Sequence, residues 1–111
     1  MMKATVVSGF SPRMLGMAPS ETATVRFKTL TLADLRALLD SGQLVIDSGL
    51  RHAKTARALS AAFRQYLPVQ RTDVRLEYPV IAALYQVPKD EIPVGSLLSP
   101  DEFMFYWCER L

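Results

Sequence analysis

The feature that most constrains this chain is a short apolar run passing directly into an amphipathic helical pattern. Leu44 to Asp47 (LVID) is followed by Ser48 and Gly49, and then by LRHAKTARALSAAFRQY, in which Ala56, Leu59, Ala62, Phe63 and Tyr66 recur at spacings of one to four residues along one helical face. A strand that feeds a helix with one apolar face needs a sheet to pack against, so the chain is predicted to be α/β (α+β). The helix is expected from about Leu50 to Tyr66, ending before Pro68, with those five side chains facing the core.

Other segments agree. Ala4 to Ser8 (ATVVS) is β-branched and ended by Gly9, which predicts a first strand, and the breaker-rich FSPRMLGMAPS after it predicts an irregular stretch. Thr22 to Thr29 alternates Ala23, Val25 and Phe27 with Thr24, Arg26 and Lys28, the period of a half-buried strand. Thr31 and Asp34 form a near capping box for a helix whose stripe is Leu32, Leu35, Leu38 and Leu39 and whose end is Gly42. Val74 to Tyr78 and Val80 to Val87 read as a hairpin about Pro79, the second arm apolar enough to be central. Pro88 to Gly95 reads as a loop, and Ser99, Pro100, Asp101 and Glu102 as a helix start. Phe103 to Cys108 (FMFYWC) either continues that helix or forms a last strand. In both cases it is more apolar than a small monomer easily hides, which points to an intersubunit role. The expectation is a single domain over residues 1–111, a mixed β-sheet of about five strands packed by two to three helices.

Composition narrows the function. No run approaches the roughly 18 apolar residues of a membrane span, and no apolar segment with a small-residue cleavage site follows the first residues, so no membrane role is expected. Single residues of cysteine (Cys108) and histidine (His52) exclude an internal disulfide and a cysteine-based zinc cage, and fit a reducing cytosol; no metal and no cofactor are expected. Neither a G-x-x-x-x-G-K-[ST] nor a G-x-G-x-x-G loop is present, which argues against the common nucleotide cradles. A Cys108–His52 dyad stays open beside the reading of Cys108 as a buried thiol.

Charge is uneven. Residues 1–75 carry eleven Lys/Arg against five Asp/Glu, and residues 76–111 two against six. Residues 48–72 hold Arg51, Lys54, Arg57, Arg64 and Arg71 without one acid. Such a run is either a solvated helix face or an anion site. His52 falls at the expected first turn of that helix, where backbone N–H groups and the helix dipole attract phosphate. An imidazole there can donate a proton to a departing 5′ oxygen while a neighbouring 2′-hydroxyl attacks phosphorus, with arginines stabilising the transition state. The alternative is a helix-start histidine with only a surface role.

Four stretches together resemble one family, the small viral ring nucleases, also called type III anti-CRISPR proteins. SGFSPRML resembles its N-A-F-S-x-x-M-L segment, keeping Phe10, Ser11, Met14 and Leu15. SGLRHAKTARAL resembles G-H-x-x-T-x-x-L, keeping His52 and Thr55, and PVQR resembles P-V-N-R, keeping Arg71. IPVGSLLSPDEF resembles L-P-E-G-x-x-L-S-x-E-E, keeping Pro93, Gly95, Leu98, Ser99 and Glu102. The chain departs from the pattern where the family's asparagine is Ser8, where its glycine is Arg51, and where its loop arginine and glutamate fall at or near Glu91 and Val94.

The resemblance implies an α/β homodimer that holds cyclic tetra-adenylate across its two-fold axis and opens the ring without metal, in the cytoplasm of an infected host. It implies His52 as the acid, Ser8, Gly9 and Ser11 as ligand contacts, and Arg71 as a phosphate binder, with Arg51 and Thr55 beside them. Four functions stand as expectations: a ring nuclease, a sponge that sequesters the ring, an interaction protein that reuses the fold to block a CRISPR or other defence effector, or a housekeeping or structural phage protein with an empty pocket.

Overall fold

A computed structural model describes residues 2–9, 17–70, 79–85 and 102–111. Five strands and two helices follow in the order β1 (Met2–Val7), β2 (Val25–Leu30), α1 (Leu32–Asp40), β3 (Leu44–Ser48), α2 (Ala53–Phe63), β4 (Val80–Tyr85) and β5 (Phe103–Arg110). The strands form one mixed sheet, ordered β2-β5-β4-β1-β3. β1 runs parallel to both β3 and β4, while β5 is antiparallel to β4 and β2. β4 is thus central, as its apolar sequence predicts, and its main partners are β1 and β5. The hairpin arm Val74–Tyr78, the loop Pro88–Gly95 and the helix start Ser99–Asp101 lie outside the described residues.

Alternation decides what each strand buries. Ala4 and Val6, Leu44 and Ile46, Ile81 and Ala83, and Phe103, Phe105 and Trp107 share one face, and Leu35, Leu50, Ala56, Leu59 and Phe63 pack onto it. The Phe63 and Phe105 rings meet at 5.7 Å, tying α2 to the middle of the sheet. Val7, Val80, Ala82 and Cys108 form a smaller cluster on the other face. The FMFYWC run is therefore a strand, with Phe103, Phe105, Trp107 and Cys108 buried, Tyr106 half-buried and Met104 exposed.

Three expectations are corrected. Tyr66 is 83% exposed, because α2 ends at Phe63 and Arg64 turns the backbone left-handed at φ 53; Leu67 takes the buried place instead. α2 begins at Ala53 rather than Leu50, so Leu50 is a buried anchor ahead of the helix. β2 is an edge strand whose apolar side is half-buried at Val25, as is Ala23 just before it, but not at Phe27, which is 53% exposed.

Helix α1 is capped on both sides of the box, Thr31 Oγ1 accepting from Asp34 N–H and Asp34 Oδ2 accepting from Thr31 N–H, each at 3.0 Å. Those bonds, the Thr31 backbone N–H foremost, hold the Asp34 carboxyl below its ordinary value. Glu109 is likewise lowered, first by the Trp107 indole N–H at 2.8 Å and then by the Arg26 guanidinium. A carboxyl depressed in the folded state stabilises the fold above its unfolded pKa, and that stability is lost as pH falls through the folded one. The Asp34→Asn/Glu109→Gln variant should therefore be less stable than the parent at neutral pH, with the gap closing well below pH 3.8 in denaturant titrations.

Candidate anion site at the start of α2

Parallel β1, β3 and β4 end on the same edge of the sheet, the edge at which open α/β sheets bind ligands. Val6 lies opposite Ser48, so Ser8 and Gly9, both half-buried, continue past the sheet beside the turn that leaves β3. Gly49 makes that turn close. Its N–H donates to Val6 O at 2.8 Å, and a Cβ there would lie 3.0 Å from Thr5 Cγ2 and 3.1 Å from Val7 Cγ1.

The residues on either side are pinned. Ser48 Oγ donates to Pro68 O at 2.5 Å and accepts from Leu50 N–H at 3.3 Å. Leu50 is fully buried, and its carbonyl accepts from Gln70 N–H at 2.7 Å. With Leu50 fixed, Arg51 and His52 are presented to solvent, and both are exposed. His52 is the N-cap of α2, extended at φ −120 and ψ 132, so it stands before the helix rather than in its first turn. Thr55 is half-buried one turn on.

This helix start contrasts with that of α1. The first intrahelical bond is Ala56 N–H to His52 O at 3.0 Å, which leaves the Ala53, Lys54 and Thr55 N–H groups without an acceptor among the described residues. His52 supplies no side-chain cap, and the first turn holds no acid. Lys54 instead places a cation at the positive end of the helix dipole. Three donors and a half positive charge favour an anion there, and no group among the described residues answers them.

The remaining expectations sort as follows. Ser8, Gly9, Arg51, His52 and Thr55 fall at or near this edge, whereas Ser11 and Arg71 lie outside the described residues. Cys108 does not join His52: it is buried with Val7, Val80 and Ala82 in the cluster on the face of the sheet away from α2, where burial pushes its thiol up. Among the described residues no group of three or more His, Cys, Asp or Glu side chains is placed to hold a metal. Among them too, no helix is long and apolar enough to cross a membrane.

A second concavity was not foreseen. A groove of about 590 Å3 is lined by Met2, Arg26, Phe27, Leu38, Trp107 and Glu109. It exists because β2 sits beside β5, a neighbour relation that no local spacing in the sequence announces.

No protein-family model matches the sequence, and no curated protein does. Among solved structures the chain is similar to B116 of Sulfolobus turreted icosahedral virus, with a TM-score of 0.64 and 18% identity, over 96% of this chain and 98% of that one. The likeness at this identity is one of fold, and it extends over nearly the whole of both chains.

If the helix start is built for an anion at the expense of its own stability, an ordinary cap should improve it. His52→Asp is expected to raise stability by about 0.5–2 kcal/mol in urea titrations. Conversely, Gly49→Ala should lower stability by roughly 1–3 kcal/mol, because its methyl group would crowd Thr5 and Val7 at 3.0–3.1 Å and force them to shift.

Proposed function

We propose that this chain is an anti-defence protein of a virus or mobile element that binds a cyclic oligonucleotide second messenger, of the cyclic tetra-adenylate kind, at the start of α2. The observation that carries the reading is the uncapped, acid-free helix start, with His52 exposed at its mouth. The fold shared with a viral protein accords with such an origin, and the four family-like stretches name the ligand. A ring of repeating nucleotides has rotational symmetry, so a second copy of the chain can present an equivalent set of groups to its other half.

The chemistry of removal follows from the residues. A phosphate at the Ala53–Thr55 N–H groups lies beside the imidazole. The ribose 2′-hydroxyl next to that phosphate attacks phosphorus and loses its proton to water, while His52 donates one to the departing 5′ oxygen. The products are a 2′,3′-cyclic phosphate and a free 5′-hydroxyl, with no metal needed. Arg51, and Arg71 from the matching stretch of the sequence, are the guanidinium groups assigned to the charged transition state. Binding without this step would still withdraw the signal, since sequestration needs affinity alone.

The groove walled by Phe27 and Met2, both about half exposed, favours a second reading, contact with a defence effector protein. One experiment separates the readings. Purified protein incubated with cyclic tetra-adenylate in EDTA should yield linear product, and His52→Ala should slow this by roughly 10²–10⁴-fold while leaving binding largely intact. Recovery of the intact ring after denaturation identifies sequestration. No binding to any of the cyclic di-, tri-, tetra- and hexanucleotides would overturn both and leave the protein-contact reading.

A further inference from the structure

The cations of this protein are not all alike. Lys3 pairs with Asp47 at 2.9 Å, Arg26 with Glu109, and Arg110 with Glu21 at 3.2 Å, while Arg36 Nε donates to Ala62 O at 2.9 Å. Lys54, Arg57 and Arg64 differ: all three are exposed, and none has a carboxylate within ion-pairing distance among the described residues. They lie on α2 and its C-cap, within the stretch of residues 48–70 that contains no acid. At 100° per residue Lys54 and Arg57 fall about 60° apart on the solvent side of α2, and Arg64 is exposed at the helix's other end as its C-cap.

Local stability does not account for these cations. Lys54 opposes the dipole at the helix start, where Asp or Glu would be favourable. Arg64 occupies the left-handed position of a Schellman turn, in which Arg64 N–H bonds Ala61 O and Gln65 N–H bonds Ser60 O. Glycine is the residue that fits this backbone without cost. Two of the three cations thus sit where another residue type would serve the fold better, which is the pattern expected where function sets the residue.

Distance tells what they do. At a rise of about 1.5 Å per residue, Lys54 stands roughly 3 Å along the axis from His52, Arg57 roughly 7.5 Å and Arg64 roughly 18 Å. Arg64 is too far to touch a phosphate held at the helix start. A Debye length of about 10 Å at 0.1 M salt nevertheless lets Arg57 act at low ionic strength, and Arg64 more weakly. Unpaired charges of one sign beside a site raise the local concentration of an oppositely charged ligand and speed its capture.

We infer that the solvent face of α2 is an electrostatic guide, in which Lys54, Arg57 and Arg64 accelerate arrival of a multiply charged anion without holding it once bound. The inference rests on the proposed ligand site and adds the residues that set its association rate and salt dependence.

The test is stopped-flow association of fluorescently labelled cyclic tetra-adenylate with the full chain and with Lys54→Gln/Arg57→Gln/Arg64→Gln, at about 50 and 200 mM salt. Lys28→Gln is the control, since Lys28 is another exposed cation without an ion pair among the described residues, on β2. The triple variant should associate roughly tenfold more slowly or worse at low salt, with the difference shrinking at high salt and the dissociation rate unchanged. The single variants should rank Lys54, Arg57, Arg64 in descending effect, and the control should match the parent. Equal association rates for parent and triple variant, or an effect confined to dissociation, would overturn the guide while leaving the ligand site standing. A parent that binds no labelled ring would overturn both.

Discussion

The hydrogen bond from Gly49 to the Val6 carbonyl, at 2.8 Å, fixes the geometry on which the proposed site depends. It seats the turn after β3 directly on the end of β1, at a distance that favours glycine, because a Cβ would press on Thr5, Val7 and the Val6 carbonyl at 3.0–3.3 Å. From there the chain has one buried anchor, Leu50, before it reaches Arg51 and His52. The start of α2 is consequently held at the carboxyl edge of the parallel strands, beside Ser8 and Gly9. A looser junction would leave the same residues in the sequence but no common place for them in space.

The two helices show how one chain divides stability from function. α1 has its capping box, with Asp34 at the positive end of the dipole, and buries Leu35 between the sheet and α2. α2 buries more, with Ala56, Ala58, Leu59, Ala62 and Phe63 all inaccessible, so tertiary packing holds it in place without help at its ends. That surplus allows a first turn with open N–H groups and a lysine. A helix secured only by its caps would not tolerate them.

Much of this was legible beforehand, for identifiable reasons. The capping box at Thr31 and Asp34, the apolar centre of β4 and the passage from LVID into α2 are each written in short-range patterns, and all appear in the structure. What failed depended on longer-range facts. Tyr66 lies on the apolar line of α2, but the left-handed turn at Arg64 takes it out of phase and gives its place to Leu67. Phe27 alternates as a half-buried residue should, yet β2 falls at the sheet edge, which no local spacing reveals. Periodicity alone left the aromatic run at Phe103–Cys108 open between helix and strand; pairing with β4 and β2 makes it a strand. His52 was placed at the right end of the right helix, though within its first turn rather than at the N-cap, and its lack of a side-chain cap became visible only in the structure.

The central claim is that an anion is received at the backbone between Gly49 and Thr55. Amide chemical shifts of isotopically labelled protein, followed by NMR during titration with cyclic tetra-adenylate, address it residue by residue. The account predicts that the largest changes fall on Ala53, Lys54 and Thr55, with Ser8 and Gly9 also moving, and that the amides of Arg26, Phe27 and Trp107 around the distant groove stay still. Changes confined to that groove, or none at saturating ligand, would contradict it.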